Sequence, residues 1–434
     1  MTAIRPLIPF IEALPAGLPG AALPRVAAIR ARAAGAYRQR GLPVAKVEAW
    51  KYTRLKDLEA RPYSVTGVPG VLAGVPETDL PGPAVRIVIA DGRFDAAHSD
   101  AALPDGVTLV PLAQALAAGD PAVLAVLERA GDYEGAPMEA LADAFLADGA
   151  VLSVAPGVAL ASRIEVTSAV SDAAGPRLVF PRLVLVLGAG ASATLVERYV
   201  GPAEAPYAVD AVTDAVLGAG ANLRHYAAQT EGEGATHVSL VRASLAAGAG
   251  YEGFVLQLGG RTARREVRLS LDGPGAKGRI NGAYAVRGGG HCDTTTVVVH
   301  GAEETFSDQV FKGLAADRGR GVFQGKILVK RDSQRIVGNQ LHKALLLSKT
   351  AEIDCKPELL IFADDVKCSH GAAVGELDEE QLFFMRSRGI PREEARNLLI
   401  HAFLGEAFDL MSDETVRQAF VARINAWLGG LEAK

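Results

Sequence analysis

Leu217-Gly-Ala-Gly-Ala-Asn-Leu223 is the stretch that decides the fold of this chain. An apolar run, Val209–Leu217, leads into it, and a second apolar segment leaves it. The same Gly-Ala-Gly stands at 188–190 and at 248–250, a period of 30 residues, and Gly-Pro-Gly follows at 273–275. A fixed period of this size signals a stacked repeat. The unit is strand, tight turn, strand, so the expected fold is mainly β, a parallel β-helix or related solenoid. One coil cannot bury its own inward side chains, whereas stacked coils share a continuous core. Glycine turns each corner at positive φ without steric cost. A β-sandwich would also show many short strands and turns, but it requires no constant period.

The repeat texture extends over roughly 150–370. Leu183–Leu187, His237–Leu245, Glu266–Leu271 and Thr294–Val299 are short runs rich in β-branched residues and leucine, without helical periodicity. The flanks differ. Upstream, Pro24 opens a helical run to Gln39, with Leu23, Val26 and Ile29 able to share one face. Pro121–Ala130 and Met138–Leu146 read as short helices, and Val85–Ala90 and Val107–Val110 as strands. Downstream, Asp378–Arg388 is helical and Gly389 suits the position past its end. Pro391 opens a helix carrying Leu398, Leu399, Ala402, Phe403 and Phe408. Ser412 is the expected N-cap of a last helix lined by Val416, Phe420, Val421, Ile424 and Trp427. These helices are expected to cap the solenoid's end or to dock a partner. The organisation expected is a helical region at 1–80, a β core at 81–375 with a helical insertion around 111–148, and a helical domain at 376–434.

Composition excludes several classes. The 434 residues carry a formal charge of −5, with acids and bases interleaved, so there is no electrostatic case for nucleic acid. Three cysteines cannot staple so long a chain. Met1–Ala13 lacks the basic and apolar regions of a secretion signal. The uncharged stretch Leu183–Val196 is too short to span a bilayer. A reduced, cytoplasmic protein is expected. No phosphate loop occurs: Gly321-Val-Phe-Gln-Gly-Lys-Ile327 has the wrong spacing and no Ser or Thr after the lysine. A β-helix acting on polysaccharides is a rival reading, since Asp364-Asp365 is a carboxylate pair. Only 6% aromatics are available to stack on sugars.

The strongest chemical candidate is Cys368 with His370. Two residues apart on a strand they face the same way. A thiolate and an imidazole together suit iron or zinc, but two ligands do not complete a site, so others must come from elsewhere or from another chain. His291-Cys292, being adjacent, should face opposite ways. Cys355 shows no partner in sequence and reads as structural. His225, His237 and His300 read as satisfied interior histidines.

Ala363-Asp-Asp-Val-Lys-Cys-Ser-His-Gly-Ala-Ala-Val-Gly375 and Leu377-Asp-Glu-Glu-Gln-Leu-Phe-Phe-Met-Arg-Ser-Arg-Gly-Ile390 closely resemble the SufB/SufD family of iron–sulfur cluster assembly scaffolds. Ser307-Asp-Gln-Val-Phe-Lys-Gly313, Gly321–Val329, Leu345-Leu-Leu-Ser348, Lys356-Pro-Glu358 and, upstream, Glu48-Ala-Trp-Lys-Tyr-Thr53 continue the likeness. The intact Lys-Cys-Ser-His-Gly string and the few cysteines match the SufD branch rather than SufB. Glu376 departs from it mildly, placing an acid where a basic or neutral residue is common. The resemblance implies a right-handed parallel β-helix flanked by helical domains. It implies pairing with the SufB paralogue, with a homodimer as the alternative for the isolated chain. It further implies docking of SufC, an ABC-type ATPase, on the C-terminal helices, where Leu399, Phe403, Phe408 and Phe420 are the candidate contacts. Cys368 and His370 would lie at the SufB interface, where clusters are built, with His370 the better-supported ligand. No catalytic activity of the chain's own is implied. A role in iron acquisition and reduced FAD in the assembled complex are implied as well.

Overall fold

Each glycine corner carries the chain from one sheet to the other. In a computed structural model, which describes residues 10–65, 72, 74–75, 78–129, 131, 133–172 and 175–432, strands alternate between two long sheets. The reading of Met1–Ala13 falls mostly outside these residues. Almost all pairings are parallel, with each strand beside the equivalent strand of the next coil. The expected mainly β solenoid with helices at both ends is therefore the observed fold.

The register refines the repeat. Leu187, Leu217, Leu245 and Leu271 form one ladder, each beside the next. All four are buried in the core between the sheets. The left-handed turn glycines beyond them are Gly190, Gly220, Gly248 and Gly275, with φ between +66° and +70°. The third Gly-Ala-Gly triplet is thus offset, because its first glycine, not its last, makes the turn. The constant 30-residue period is a correction in that sense: coil length varies along the chain while the leucine ladder holds register. The coils also press together closely at the corners. A Cβ on Gly218 would lie 2.7 Å from the Ala189 nitrogen.

The two ends of the solenoid differ. At the start, Ala84–Ala90 pairs antiparallel with Arg93–Phe94, and Val107–Pro111 pairs antiparallel with Ala150–Val154. At the finish, Glu352–Ile361 and Val366–Gly375 are the outermost strands of the two sheets, each paired on one side.

Helices cover the outer faces. Pro24–Arg40 and Pro137–Ala144 contact each other, and their cluster reaches Leu178, Ala208 and Val238 of one sheet. Leu112–Ala118, within the stretch 111–148 expected to hold a helical insertion, packs with Pro121–Leu127 against Val151 and Val184. Arg392–Phe408 and Glu414–Glu432 lie on the other sheet, over Val196, Tyr226, Phe254, Leu256, Ala283 and Leu314. They flank the solenoid and do not cap its end. The cause is the outward row of large apolar side chains on that sheet, which must be removed from water.

The N-cap is also corrected. Asp413, not Ser412, caps the last helix: its carboxylate accepts the Val416 N–H at 3.1 Å. Ser412 instead donates to Glu252 of the sheet at 2.9 Å. Asp413→Ala is expected to cost about 1 kcal/mol, read as a lowered thermal midpoint, while Ser412→Ala should loosen the helix from the sheet and leave the helix start intact.

Candidate functional site

The final strands leave an apolar interior open. The ladder that begins at Leu187 continues through His300 and Val329 to Ile361. Val329 is fully buried, yet Ile361 is 38% exposed. Leu360, Phe362 and Val374 are exposed beside it. Two unpaired strand edges and an exposed apolar rung form a surface that isolated chains rarely leave bare.

Cys368 and His370 both lie on the edge strand Val366–Gly375, two residues apart and so on one side of it. Cys368 is half-buried. Its sulfur packs among Ile327, Val329, Ile336, Leu359 and Val366, above the bare backbone of Gly338. Burial raises its thiol above the usual range. His370 is exposed at the open edge. Its neighbours on the ladder are Gln340 and then Gln309, both buried. Among the described residues neither glutamine amide has a hydrogen-bond partner. Gln340 has room only because residue 325 is glycine: a Cβ there would collide with the amide. An uncommitted amide one strand spacing, about 4.8 Å, from the imidazole can orient it. The pair is therefore a half-buried thiol and an exposed imidazole on one side of the edge strand, at a rim that a second chain could close.

The other candidates sort as follows. Cys292 is buried beside Tyr284, whereas His291 faces the opposite way and meets the Thr53 hydroxyl at 2.8 Å. Burial lowers His291 and raises Cys292. His225 meets Glu197 and Tyr251, each at 3.0 Å, His237 lies 2.8 Å from Glu231, and His300 bonds Thr305 and Ser307. His225 and His300 are satisfied interior residues, as expected, whereas among the described residues His237 is buried beside Glu231 without a hydrogen bond from either ring nitrogen. Cys355 is a correction, because it has a partner: His342 Nδ1 lies 2.9 Å from its sulfur. The two are 13 positions apart, on different sheets, so no local spacing announces them.

On the C-terminal helices, Phe408 and Phe420 are 3% and 0% exposed. Both rings meet Phe254 of the sheet. They hold the helices on and offer nothing to a partner, which corrects their place among the contacts. Phe403 is half-buried under the Lys312 ammonium, and Leu399 is half-buried. Among the described residues, the exposed large apolar side chains of this region are Phe383, 71% exposed, Phe384, Leu398 and Leu410.

Comparison with known proteins places the chain in a family. Residues 169–403 match the family model described as the SUF system FeS cluster assembly, SufBD core domain, and residues 16–166 match the SufBD protein N-terminal region. The chain belongs to the SufB/SufD family. It is 32% identical to the iron–sulfur cluster assembly protein SufD of Escherichia coli over 401 residues, 90% of each chain. It is 28% identical to a SufBD family protein of Synechocystis over 85% of this chain and 83% of that one. SufD of Bacillus subtilis matches at 28% over 57% of each.

In this SufB/SufD chain the motif Glu48–Thr53 clamps the N-terminal region to the solenoid. Trp50 lies under the Arg264 guanidinium at 4.2 Å and donates to the Gly135 carbonyl. Thr53 bonds Asp293, and Glu48 pairs with Lys356. A cleft of about 700 Å³ opens beside this clamp, lined by Arg40, Lys46, Glu48, Glu266, Lys326 and Lys356 among others. Lys326 and Lys356 are already paired with Glu358. Among the described residues no helix is long and apolar enough to cross a membrane.

Proposed function

We propose that this chain is a scaffold subunit without catalytic activity of its own, and that it supplies half of a shared iron–sulfur cluster assembly site. The observation that carries the reading is the position of His370 and Cys368 on the open rim of the solenoid. Its partner there is a SufB-type paralogue, whose own edge strands would continue both sheets and cover Ile361 and Val374. The growing cluster and its iron are cargo, held between the two chains. His370, exposed, is the principal ligand from this side. Cys368 must give up a proton and turn from its apolar packing to join it. Iron acquisition would use the same exposed imidazole.

An ABC-type ATPase of the SufC kind would dock on the C-terminal helices, through Phe383, Phe384 and Leu398 and with Leu399 and Phe403 beneath them. ATP hydrolysis belongs to that partner. A reduced flavin in the assembled complex is assigned no residue of this chain. The support for these partners is the family placement together with two separate exposed apolar surfaces.

Co-expression with the paralogue and the ATPase tests the arrangement. Leu360→Asp with Val374→Asp should abolish co-purification of the paralogue and keep the ATPase. Phe383→Asp with Phe384→Asp should do the reverse. The residues are exposed, so the chain should stay folded. If the rim variant keeps the paralogue, the open end is not the interface.

A further inference from the structure

We propose that Cys355 and His342 form a second site, for a soft metal ion of low coordination number, the Cu(I) class. The proposal does not depend on the assembly role argued above. His342 is fully buried on Ile336–Leu346, and Cys355 is half-exposed on the edge strand Glu352–Ile361. The sulfur lies 2.9 Å from Nδ1, and Nε2 lies 3.0 Å from the Tyr284 hydroxyl. The imidazole lies nearly parallel to two rings. Phe323 stacks on it at 4.8 Å between centroids, and the Tyr284 ring meets its Nε2 edge with centroids 5.9 Å apart, both within 5° of parallel. Tyr284 itself fits because residues 313 and 321 are glycines, where a Cβ would strike its ring.

This is how a metal-binding histidine is prepared. Its distal nitrogen is tied to a fixed polar group, which sets the tautomer and aims the other lone pair. With the proton on Nε2 and donated to Tyr284, Nδ1 presents its lone pair to the thiol. Burial keeps the ring neutral, down to about 3, which is the ligating form. Burial also pushes the Cys355 thiol up to about 11, so the free thiol stays protonated at neutral pH. That state argues against a spontaneously reactive nucleophile. A bound soft cation deprotonates a thiol outright.

The donor count selects the metal. Among the described residues no third His, Cys, Asp or Glu joins this pair. Zn(II) takes four ligands. Thiolate with imidazole suits Cu(I), which is satisfied by two. A two-coordinate ion holds sulfur and nitrogen farther apart than a hydrogen bond does, and Cys355, on the edge strand, has room to swing. Entry is through the open end.

The test uses the full chain carrying Cys368→Ser, kept anaerobic and titrated with Cu(I) against a chromophoric chelator. One equivalent should bind, with X-ray absorption showing one sulfur and one nitrogen. Cys355→Ala should abolish that equivalent. Tyr284→Phe keeps the ring and should weaken binding about 10- to 100-fold. Zn(II) should bind more weakly than Cu(I). Undiminished binding in Cys355→Ala, or an absorption spectrum with no nitrogen neighbour, would overturn the site. If His342→Gln fails to fold, the half-exposed Cys355 variant still decides.

Discussion

Replacing Glu197 by alanine should destabilise the chain by about 3–5 kcal/mol, the cost of leaving a buried charge without its partner. Glu197 is 3% exposed, inside the solenoid. It accepts from Arg265 at 2.9 Å, from His225 at 3.0 Å and from the Thr213 hydroxyl. Arg265 is itself 2% exposed. Without the carboxylate, a guanidinium remains in an apolar core. The loss should appear as a lower denaturant midpoint with an unchanged slope. Arg265→Met together with Glu197→Leu should recover most of it, since both charges then leave the core. The same carboxyl sets a pH dependence. Burial alone would raise it, but the His225 ring and the Arg265 guanidinium outweigh burial and hold it well below the usual range. A folded value below the unfolded one means that the native state binds fewer protons. This contribution is complete above about pH 5, where an unfolded glutamate is ionised, and is lost as pH falls further. Chemical unfolding at pH 7 and pH 4 should show that loss in the native chain and much less of it in the double variant.

Phe254→Ala should have a comparable effect, about 3–5 kcal/mol, and a local signature. Phe254 stacks on Phe408 with centroids 5.2 Å apart and lies 6.1 Å from Phe420. It is the point where the sheet holds both long C-terminal helices. Losing it should free Arg392–Phe408 and Glu414–Glu432 from Tyr226, Leu256 and Leu314 while the solenoid ladder stays paired. Limited proteolysis should then cut after residue 376 well before it cuts the β core. Simultaneous cutting throughout would mean that helices and solenoid unfold as one unit. Because the ATPase is expected on these helices, the variant should also weaken its co-purification.

The solenoid was legible because its cause is local and repeated. Gly190 and Gly220 each end an apolar strand, and Leu187 and Leu217 recur in step. The drift at Gly248 was not legible, since a triplet of the same letters hides a two-residue shift that only strand pairing exposes. Cys368 and His370 could be read because a strand fixes which side chains share a side. Cys355 and His342 could not, because their meeting depends on the width of a coil. Phe408 and Phe420 looked like partner contacts for a related reason. A helix's apolar stripe shows that it is covered, not by what, and here the cover is the outward row headed by Phe254. His225 could be read as a satisfied interior histidine, but its partners Glu197 and Arg265 could not, because each sits alone in its own strand and only stacking brings them together.

The most direct measurement is cluster yield from the assembled complex. The chain would be co-expressed with its paralogue and ATPase, purified anaerobically, and analysed for iron and acid-labile sulfide. His370→Ala should lower both several-fold while the three subunits still co-purify, and Cys368→Ser should lower them less. Undiminished iron and sulfide in an intact His370→Ala complex would contradict the claim that this rim supplies half of the site.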